Sequence, residues 1–269
     1  MTDSGLKHIV ALKNLEKLRL PNTRVTDVGL KELAHLNRLQ GLDLAHTRVT
    51  SQGLAELAGL NRVQVLELYG TSVDNAGLKR LAGFEGLQSL GLGSTKISDH
   101  GLIELASLTN LQMLGLPDTP ITDDGLKQLA VLKNLQSLDL IGTRVTGVGL
   151  NALAGLNDIR KIDLYRSQLD DTGMAELARF KSLQWLDIRE TDVTDAGLKQ
   201  LAKLTKLETL TLGYTRVSGP GPEKTITDAG LEQLSGLPSL KYLYIANSPV
   251  TNAGVAKLQQ ALPNCRIDH

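Results

Sequence analysis

The stretch Leu15–Arg38 reads LEKLRLPNTRVTDVGLKELAHLNR, and its pattern returns every 24 residues along almost the whole chain. A fixed period of this length is typical of a solenoid, in which each repeat buries its apolar face against its neighbours. The first column of the pattern is occupied by Leu15, Leu39, Val63, Leu87, Leu111, Leu135, Ile159, Leu183 and Leu207. We therefore predict a single solenoid domain over residues 1–269.

The period divides the chain into repeats with defined bounds. A partial repeat (1–14) comes first, and the regular repeats are 15–38, 39–62, 63–86, 87–110, 111–134, 135–158, 159–182 and 183–206. A longer repeat (207–239) carries nine extra residues within 217–225, a last full repeat spans 240–263, and 264–269 reads as an end strand. The extra residues include Gly-Pro-Gly-Pro, which predicts a loop.

Each repeat predicts one short strand and one short helix. Leu18 and Leu20 are two residues apart, as in a strand with one buried face, and the leucines from Leu30 to Leu36 are spaced as one face of a helix. Thr26 precedes this helix as an N-cap, and the acidic residue that follows suits the positive end of the helix dipole. Gly29 indicates close backbone packing between neighbouring repeats, and the hydroxyl of Thr23 is expected to satisfy backbone groups of the turn.

The motif L-x-x-L-x-L-x-x-T-x-V-T-D-x-G-L, as in Leu15–Leu30, resembles the leucine-rich repeat family. Its Thr-Asp-x-Gly-Leu segment is similar to bacterial repeat arrays and to the cysteine-containing repeats of F-box receptors, although threonine stands here where the latter carry cysteine. The resemblance implies an α/β, right-handed solenoid shaped as a horseshoe or arc. Its parallel β-sheet would lie on the concave face and its short helices on the convex face, and the usual activity of the family is protein or peptide binding.

Composition narrows the class of protein. Lysine and arginine total 29 and so do aspartate and glutamate, so the sequence gives no basic excess for binding nucleic acid and no polybasic membrane anchor. Cys265 is the single cysteine, which excludes an internal disulfide. No apolar run is long enough to span a bilayer, and the N-terminus does not read as a signal peptide. These features favour a soluble protein, cytoplasmic rather than secreted, and leave the oligomeric state open.

The chain begins in mid-repeat. Residues 2–6 align with the segment that starts at Thr26, so the first strand of that repeat is missing. Terminal repeats normally carry a cap. The hypothesis is that the sequence is a fragment of a longer protein or that a partner covers this edge.

The aromatic residues suggest a binding surface. The tyrosines and the tryptophan all fall in columns predicted to be exposed on the strands, and five of these six side chains lie in the later repeats. Asp139, Asp163 and Asp187 add an acidic strip, which predicts a ligand with basic groups. The predicted partner-binding residues are Lys161, Asp163, Tyr165, Arg166, Trp185, Asp187, Arg189, Tyr214, Tyr242 and Tyr244.

No catalytic arrangement stands out in the sequence. Asp163 and Asp187 would be neighbours, but an open sheet offers no cleft and no histidine lies near them in the repeat pattern. No metal-ligand spacing, phosphate loop or cofactor motif is present. We therefore expect a non-enzymatic module that binds a protein or peptide on its concave face. Two alternatives are a structural or regulatory solenoid within a larger protein and the substrate-recognition part of a larger enzyme complex.

Overall fold

The computed structural model describes residues 1–213 and 225–269, which form two compact units, Met1–Leu135 and Gln136–His269. Both units consist of the predicted repeats, each with a strand, a turn and a short helical segment. Tyr214 and nearly all of the predicted loop 217–225 lie outside the described residues. The assignment of residues 1–269 to one solenoid domain stays a prediction.

The strands of each unit form a parallel sheet in chain order. In the first unit the strands are β1 (Lys17–Arg19), β2 (Gly41–Asp43), β3 (Val65–Glu67), β4 (Ser89–Gly91) and β5 (Met113–Gly115). In the second unit they are β6 (Ser137–Asp139), β7 (Lys161–Asp163), β8 (Trp185–Asp187), β9 (Thr209–Gly213), β10 (Tyr242–Ala246) and β11 (Arg266–Asp268). Equivalent residues of consecutive repeats are paired throughout, which confirms the predicted parallel sheet of an α/β repeat protein.

The helical segments are short, and many change from α to 3₁₀ geometry. The α-helices are α1 (Asp3–Leu6), α2 (Asp27–Leu33), α3 (Asn75–Leu78), α4 (Asp99–Leu102), α5 (Asp123–Leu126), α6 (Asp171–Leu177), α7 (Asp195–Leu198), α8 (Asp228–Glu232) and α9 (Asn252–Ala261). The 3₁₀ segments are Gly53–Leu57, Lys79–Gly83, Ile103–Ser107, Lys127–Val131, Val148–Leu153, Lys199–Lys203 and Gln233–Gly236. Apolar residues three apart, such as Leu78, Leu81 and Phe84, share one face in 3₁₀ geometry, and all three are buried.

The core is made by the predicted leucine columns. Leu42 and Leu44 of the second full repeat are at most 1% exposed, and so are Leu54, Leu57 and Leu60 of its helical side. Leu15, two residues before β1, and Leu18, within it, are only partly buried. Cys265, near the C-terminal end of the chain, is buried and packs as a small apolar residue, and this burial raises the pKa of its thiol. Within the described residues no helix is both long and apolar enough to cross a membrane.

The predicted hydroxyl column bonds to the backbone of the turn. Thr47 Oγ1 donates to the carbonyl oxygen of Leu44 at 2.7 Å, and Thr71 and Thr143 do the same to Leu68 and Leu140. These hydroxyls are buried, so each bond satisfies a carbonyl that water does not reach. Their structural role is confirmed.

The acidic column links consecutive repeats. The carboxylate of Asp3 accepts the backbone N–H of Thr26 at 2.8 Å and the Thr26 hydroxyl at 2.7 Å, while Thr26 Oγ1 accepts the N–H of Val28 in its own helix. Asp27 makes the same pair of bonds to Thr50. The column was predicted only to suit the helix dipole. In the structure it also joins the start of one helix to the start of the next, and we call this pair of bonds the carboxylate bridge.

Further carboxylate bridges extend through both units, with two chemical variants. Additional Asp–Thr bridges join Asp99 to Thr122, Asp171 to Thr194, Asp195 to Thr227 and Asp228 to Thr251. In one variant the roles are exchanged, since Ser51 donates to Asp74 and accepts its N–H. In the other, an amide replaces the carboxylate, and Asn75 bonds to Ser98. Ser98 makes no side-chain bond to its own helix, unlike the N-cap predicted there, because its hydroxyl accepts the amide of Asn75.

The recurring glycine makes room for the bridge. A β-carbon added at Gly29 would collide with the carboxylate of Asp3 and lie 2.8 Å from Leu6 Cδ1. Gly53, Gly125, Gly197 and Gly230 face the preceding aspartate in the same way. Neighbouring repeats therefore do pack closely at the glycine, as predicted. At these positions, however, the contact is chiefly between the aspartate side chain of one repeat and the glycine backbone of the next. Gly173 is the exception, since its neighbour is the backbone of Thr146 and Gly147.

Replacing Asp99 with alanine should lower the free energy of unfolding by about 2 kcal/mol, because two hydrogen bonds to Thr122 are lost and a partly buried N–H is left unpaired. Asp99→Asn should cost less, since an amide oxygen can still accept that N–H. The control is Asp124→Ala, which removes an exposed first-turn carboxylate paired only with Lys127 and should change stability little. Urea denaturation measures all three. Equal losses of unfolding free energy for Asp99→Ala and Asp124→Ala would mean that the helix dipole, and not the bridge, explains why this column is acidic.

Replacing Gly125 with alanine should destabilise the protein by about 2 kcal/mol through overpacking against Asp99. The same change in the Asp99→Ala background should cost measurably less, because the carboxylate that occupies the space is gone. Gly236→Ala is the matched control, since an added β-carbon there has no heavy atom within 4 Å. A double-mutant cycle by urea denaturation provides the coupling. Strict additivity would contradict the steric role assigned to the glycine.

Candidate functional site

The predicted aromatic residues lie on the exposed face of the second unit's sheet. Strand pairing aligns Trp185 with Lys161 on one side and Thr209 on the other, and Thr209 with Tyr242. Tyr244 aligns with Thr211, and Tyr165 follows β7 by two residues. We call Tyr165, Trp185, Tyr242 and Tyr244 the aromatic patch. Each of its side chains is partly exposed.

Cations of the chain itself stack on these rings. The Lys161 ammonium lies 4.2 Å from the centroid of the Trp185 ring on the adjacent strand. The Arg189 guanidinium lies between two tyrosines, 5.0 Å from the Tyr165 centroid and 5.8 Å from the Tyr244 centroid. Such contacts are worth about 0.5–1 kcal/mol each at exposed sites, so they favour these positions of the rings and cations. The sequence analysis named these residues as a site but did not predict the stacking.

Carboxylates fix the tyrosine hydroxyls. Tyr165 donates to Glu190 at 2.8 Å and Tyr242 donates to Asp268 at 2.9 Å, and each bond raises the pKa of its tyrosine. Arg266 lies over the Tyr242 ring at 5.8 Å. The sequence analysis missed Glu190, Arg266 and Asp268. Period spacing could have found Glu190, which is 24 residues after Arg166 and carries the opposite charge.

Two of these charged residues, Arg166 and Glu190, occupy the left-handed position of the turn that follows a strand. Arg166 has φ +59° and Glu190 has φ +51°, at a position where other repeats place residues such as Asn22, Gly70 or Gly142. Large side chains are uncommon in this conformation. Arg166 Nε lies 3.9 Å from Glu190 Oε2, so the exposed Arg166 and its partner form one rim of the aromatic patch.

Two of the three aspartates in the predicted acidic strip are not exposed, whereas Asp139 is partly exposed. Asp163 is 8% exposed and Asp187 is 2% exposed. Arg189 binds the carboxylate of Asp187 through Nε at 2.9 Å and Nη2 at 2.6 Å. The alternation of the strand does point these side chains away from the core. They are nevertheless buried, because adjacent strands lie about 4.8 Å apart and the larger rings and cations cover them.

These aspartates also end the strands. Asp163 Oδ1 accepts the N–H of Tyr165 at 3.2 Å, and Asp187 Oδ1 accepts the N–H of Arg189 at 2.9 Å. Asp43 and Asp139 accept the N–H two residues later in the same way. Aspartate commonly bonds to backbone two residues on in a turn. The strip therefore has a local structural role at each strand end.

Burial changes the titration of Asp163. The loss of water around its carboxyl raises the pKa to about 7, and the neighbouring charges of Asp187 and Asp139 add to this effect. The N–H of Tyr165 and the charge of Lys161 act in the opposite direction. At neutral pH a substantial fraction of Asp163 is therefore protonated and carries no charge.

The sheet of the first unit presents a different surface. Its β4 and β5 carry the small residues Ser89, Gly91 and Gly115. Near β1–β3 there is a cavity of about 400 Å³, lined by Lys17, Leu18, Arg19, Gln40, Gly41, Leu42, Asp43, Gln64, Val65 and Glu67. Burial and the charge of Asp43 raise the pKa of Glu67. Among the described residues of the chain, no cluster of three histidine, cysteine or acidic residues could hold a metal ion.

Solved structures share this arrangement of repeats. An internalin (inlF) from Listeria monocytogenes is 21% identical, with a TM-score of 0.62 over 97% of this chain and 82% of its own. Internalin C2 (inlC2) from the same species is 31% identical, with a TM-score of 0.60 over 79% of this chain and 84% of its own. This chain belongs to the leucine-rich-repeat family.

A plant leucine-rich-repeat structure is also similar in fold. The peptide hormone receptor RGFR1, solved in complex with RGF2, is 17% identical, with a TM-score of 0.54 over 94% of this chain and 48% of its own. No family model and no curated protein matches the sequence. The assignment of these leucine-rich repeats to the Thr-Asp-x-Gly-Leu subclass stays a prediction.

The stability of this leucine-rich-repeat protein should fall as pH rises from about 4 to about 7, with a contribution from Asp163. Between pH 3.8, the ordinary pKa, and about 7, the folded protein holds a proton that the unfolded chain has released, so ionisation favours unfolding. Asp163→Asn should flatten the fall in the free energy of unfolding with pH and raise that free energy at about pH 8. The upper limit of this gain is about 1.4 kcal/mol for each unit by which the pKa is raised.

Urea denaturation at several pH values measures this effect. Asp187→Asn is the control on the next strand, and it should destabilise the protein at every pH because it breaks the ion pair with Arg189. An unchanged slope in Asp163→Asn would show that Asp163 titrates as an ordinary exposed carboxylate.

Proposed function

We propose that this leucine-rich-repeat chain is a non-enzymatic module that binds a protein or peptide on the exposed sheet face of Gln136–His269, the predicted concave side. The observation that carries the proposal is the aromatic patch, in which four partly exposed rings lie on or directly after strands of one parallel sheet, from β7 to β10. Tyrosine and tryptophan are the residues most often found to dominate binding energy at protein interfaces.

The support for the patch is rigid. Strand positions are held by parallel pairing on both sides, and the rings are held by stacked cations and by bonds to Glu190 and Asp268. Side chains that are ordered before binding lose little conformational entropy when a partner docks. The predicted site residues Lys161, Asp163, Arg166, Asp187 and Arg189 serve in this proposal as the frame that positions the rings. Tyr214 stays a predicted member.

The comparison with RGFR1 adds support at the level of fold. That receptor was solved with the peptide hormone RGF2, so a fold of this kind accommodates a peptide ligand. A catalytic role for the paired aspartates receives no such support, because Asp187 is bound to Arg189 and Asp163 is nearly buried. A structural solenoid or a substrate-recognition part of a larger complex are the alternatives predicted from the sequence.

Trp185→Ala combined with Tyr242→Ala should abolish capture of a specific partner while changing the melting temperature little, because both side chains are partly exposed. The experiment compares affinity capture by the wild-type chain and the double variant, with bound proteins identified by mass spectrometry. Tyr69→Ala is the matched control, since Tyr69 is a partly exposed tyrosine on the strand side of the first unit. That variant should retain the partner.

A contrary result has a clear meaning. If the folded double variant captures the same proteins as the wild type, the aromatic patch is not the binding surface. If the double variant instead loses stability without losing a partner, the patch has a structural role.

A further inference from the structure

The charges that a partner would meet on the aromatic patch are mainly positive. Lys161 and Arg166 are exposed, and the side chain of Arg266 is 74% exposed. The carboxylates of Asp163 and Asp187, by contrast, are buried at 8% and 2% exposure. The chain is neutral as a whole, so this difference arises from which side chains are covered and not from composition.

The more exposed carboxylates around the patch have donors from the chain itself. Asp268 accepts from Tyr242 and Arg266, and Glu208 pairs with Lys241 at 2.7 Å. Asp187 is held by Arg189, and the protonated fraction of Asp163 further reduces negative charge under the patch. A basic partner would have to displace these internal donors before it reached a carboxylate. An acidic partner would compete with Asp268 at Arg266, but not at Lys161, whose ammonium forms no such ion pair within the described residues.

Lys161 has unused donor capacity. Its ammonium is positioned by the Trp185 ring at 4.2 Å and, within the described part of the chain, forms no ion pair with a carboxylate. An ammonium has three N–H donors. A carboxylate that approached from solvent would therefore meet a cation that is already oriented, beside an aromatic surface.

The register of the paired strands sets the distance between Lys161 and Arg266, the two cations at the ends of the patch. Lys161, Trp185, Thr209, Tyr242 and Arg266 lie in one column across five adjacent strands. Four strand spacings correspond to about 19 Å, which an extended peptide covers with about six residues. The two rings at Trp185 and Tyr242 lie between the cations in the same column.

Building on the proposed function, we infer that the aromatic patch binds an extended acidic peptide segment that crosses the strands, with carboxylates at Lys161 and Arg266 and apolar side chains against Trp185 and Tyr242. This inference reverses the charge of the ligand expected from the sequence, which treated Asp139, Asp163 and Asp187 as an exposed strip. In the structure Asp163 and Asp187 are buried, and the carboxylate of Asp187 is held by Arg189.

Selection from a random library of displayed peptides tests the sign of the ligand's charge. Peptides of about twelve residues span about 40 Å when extended, so they are long enough to reach both cations. Peptides retained by the wild-type chain should be enriched about twofold or more in aspartate and glutamate over the input library. Lys161→Glu should remove or reverse this enrichment. Lys17→Glu is the matched control, because Lys17 is exposed in the same column of β1 in the first unit, and it should leave the selection unchanged.

The outcomes separate this inference from the proposed function. Retained peptides that depend on Trp185 but are uncharged or basic would overturn the acidic partner and leave the proposed site in place. Peptides retained equally by the wild type and by Trp185→Ala, or none retained at all, would overturn both. An equal loss of acidic enrichment in Lys17→Glu and Lys161→Glu would show a general charge effect and also overturn the inference.

Discussion

The carboxylate bridge between consecutive helix starts is the constraint on which the other features depend. One threonine hydroxyl, as in Thr26, donates to the aspartate of the preceding repeat and accepts an N–H of its own helix. The bridge therefore fixes where each helix begins relative to its neighbour, and it requires glycine two residues after the aspartate column. Equivalent strand residues pair as well, as in β7 and β8, so side chains 24 positions apart become neighbours on the sheet. The stacking of Lys161 on Trp185 is a direct result.

Much of the fold was predictable from the repeat alone, whereas the bridge was not recognised. The period, the strand alternation and the N-cap column identify the elements, because each depends on residues close in sequence. The bridge joins residues 23 apart and becomes visible only when columns are compared in pairs. Where the acidic column has Ser51, the next N-cap is Asp74, so the acid has changed sides. This exchange of an acid and a hydroxyl between the acidic column and the N-cap column was the signal in the sequence that the two columns are bonded to each other.

The candidate site was predictable in position but not in chemistry. Alternation placed Trp185, Tyr242 and Tyr244 on the exposed side of the strands, where the structure has them. It could not show that Asp187 is covered, because burial of a small side chain depends on the sizes and rotamers of its neighbours. Arg189 belongs to the same strand end as Asp187, and its side chain folds back over the carboxylate. An exposed column in a sequence therefore does not by itself establish an exposed charge.

Gly147 interrupts the series of bridges inside the second unit. It has no side chain to offer the next repeat, adopts φ +96°, and leaves the N–H of Asp170 to reach the Thr146 carbonyl at 3.4 Å. Gly173 of the next repeat instead packs its backbone against Thr146 and Gly147, so main-chain contact takes the place of the carboxylate at this interface. A β-carbon added at Gly147 would lie 2.7 Å from the α-carbon of Gly173. This one interface of the second unit therefore depends on two residues without side chains, where its neighbours depend on an aspartate and a threonine.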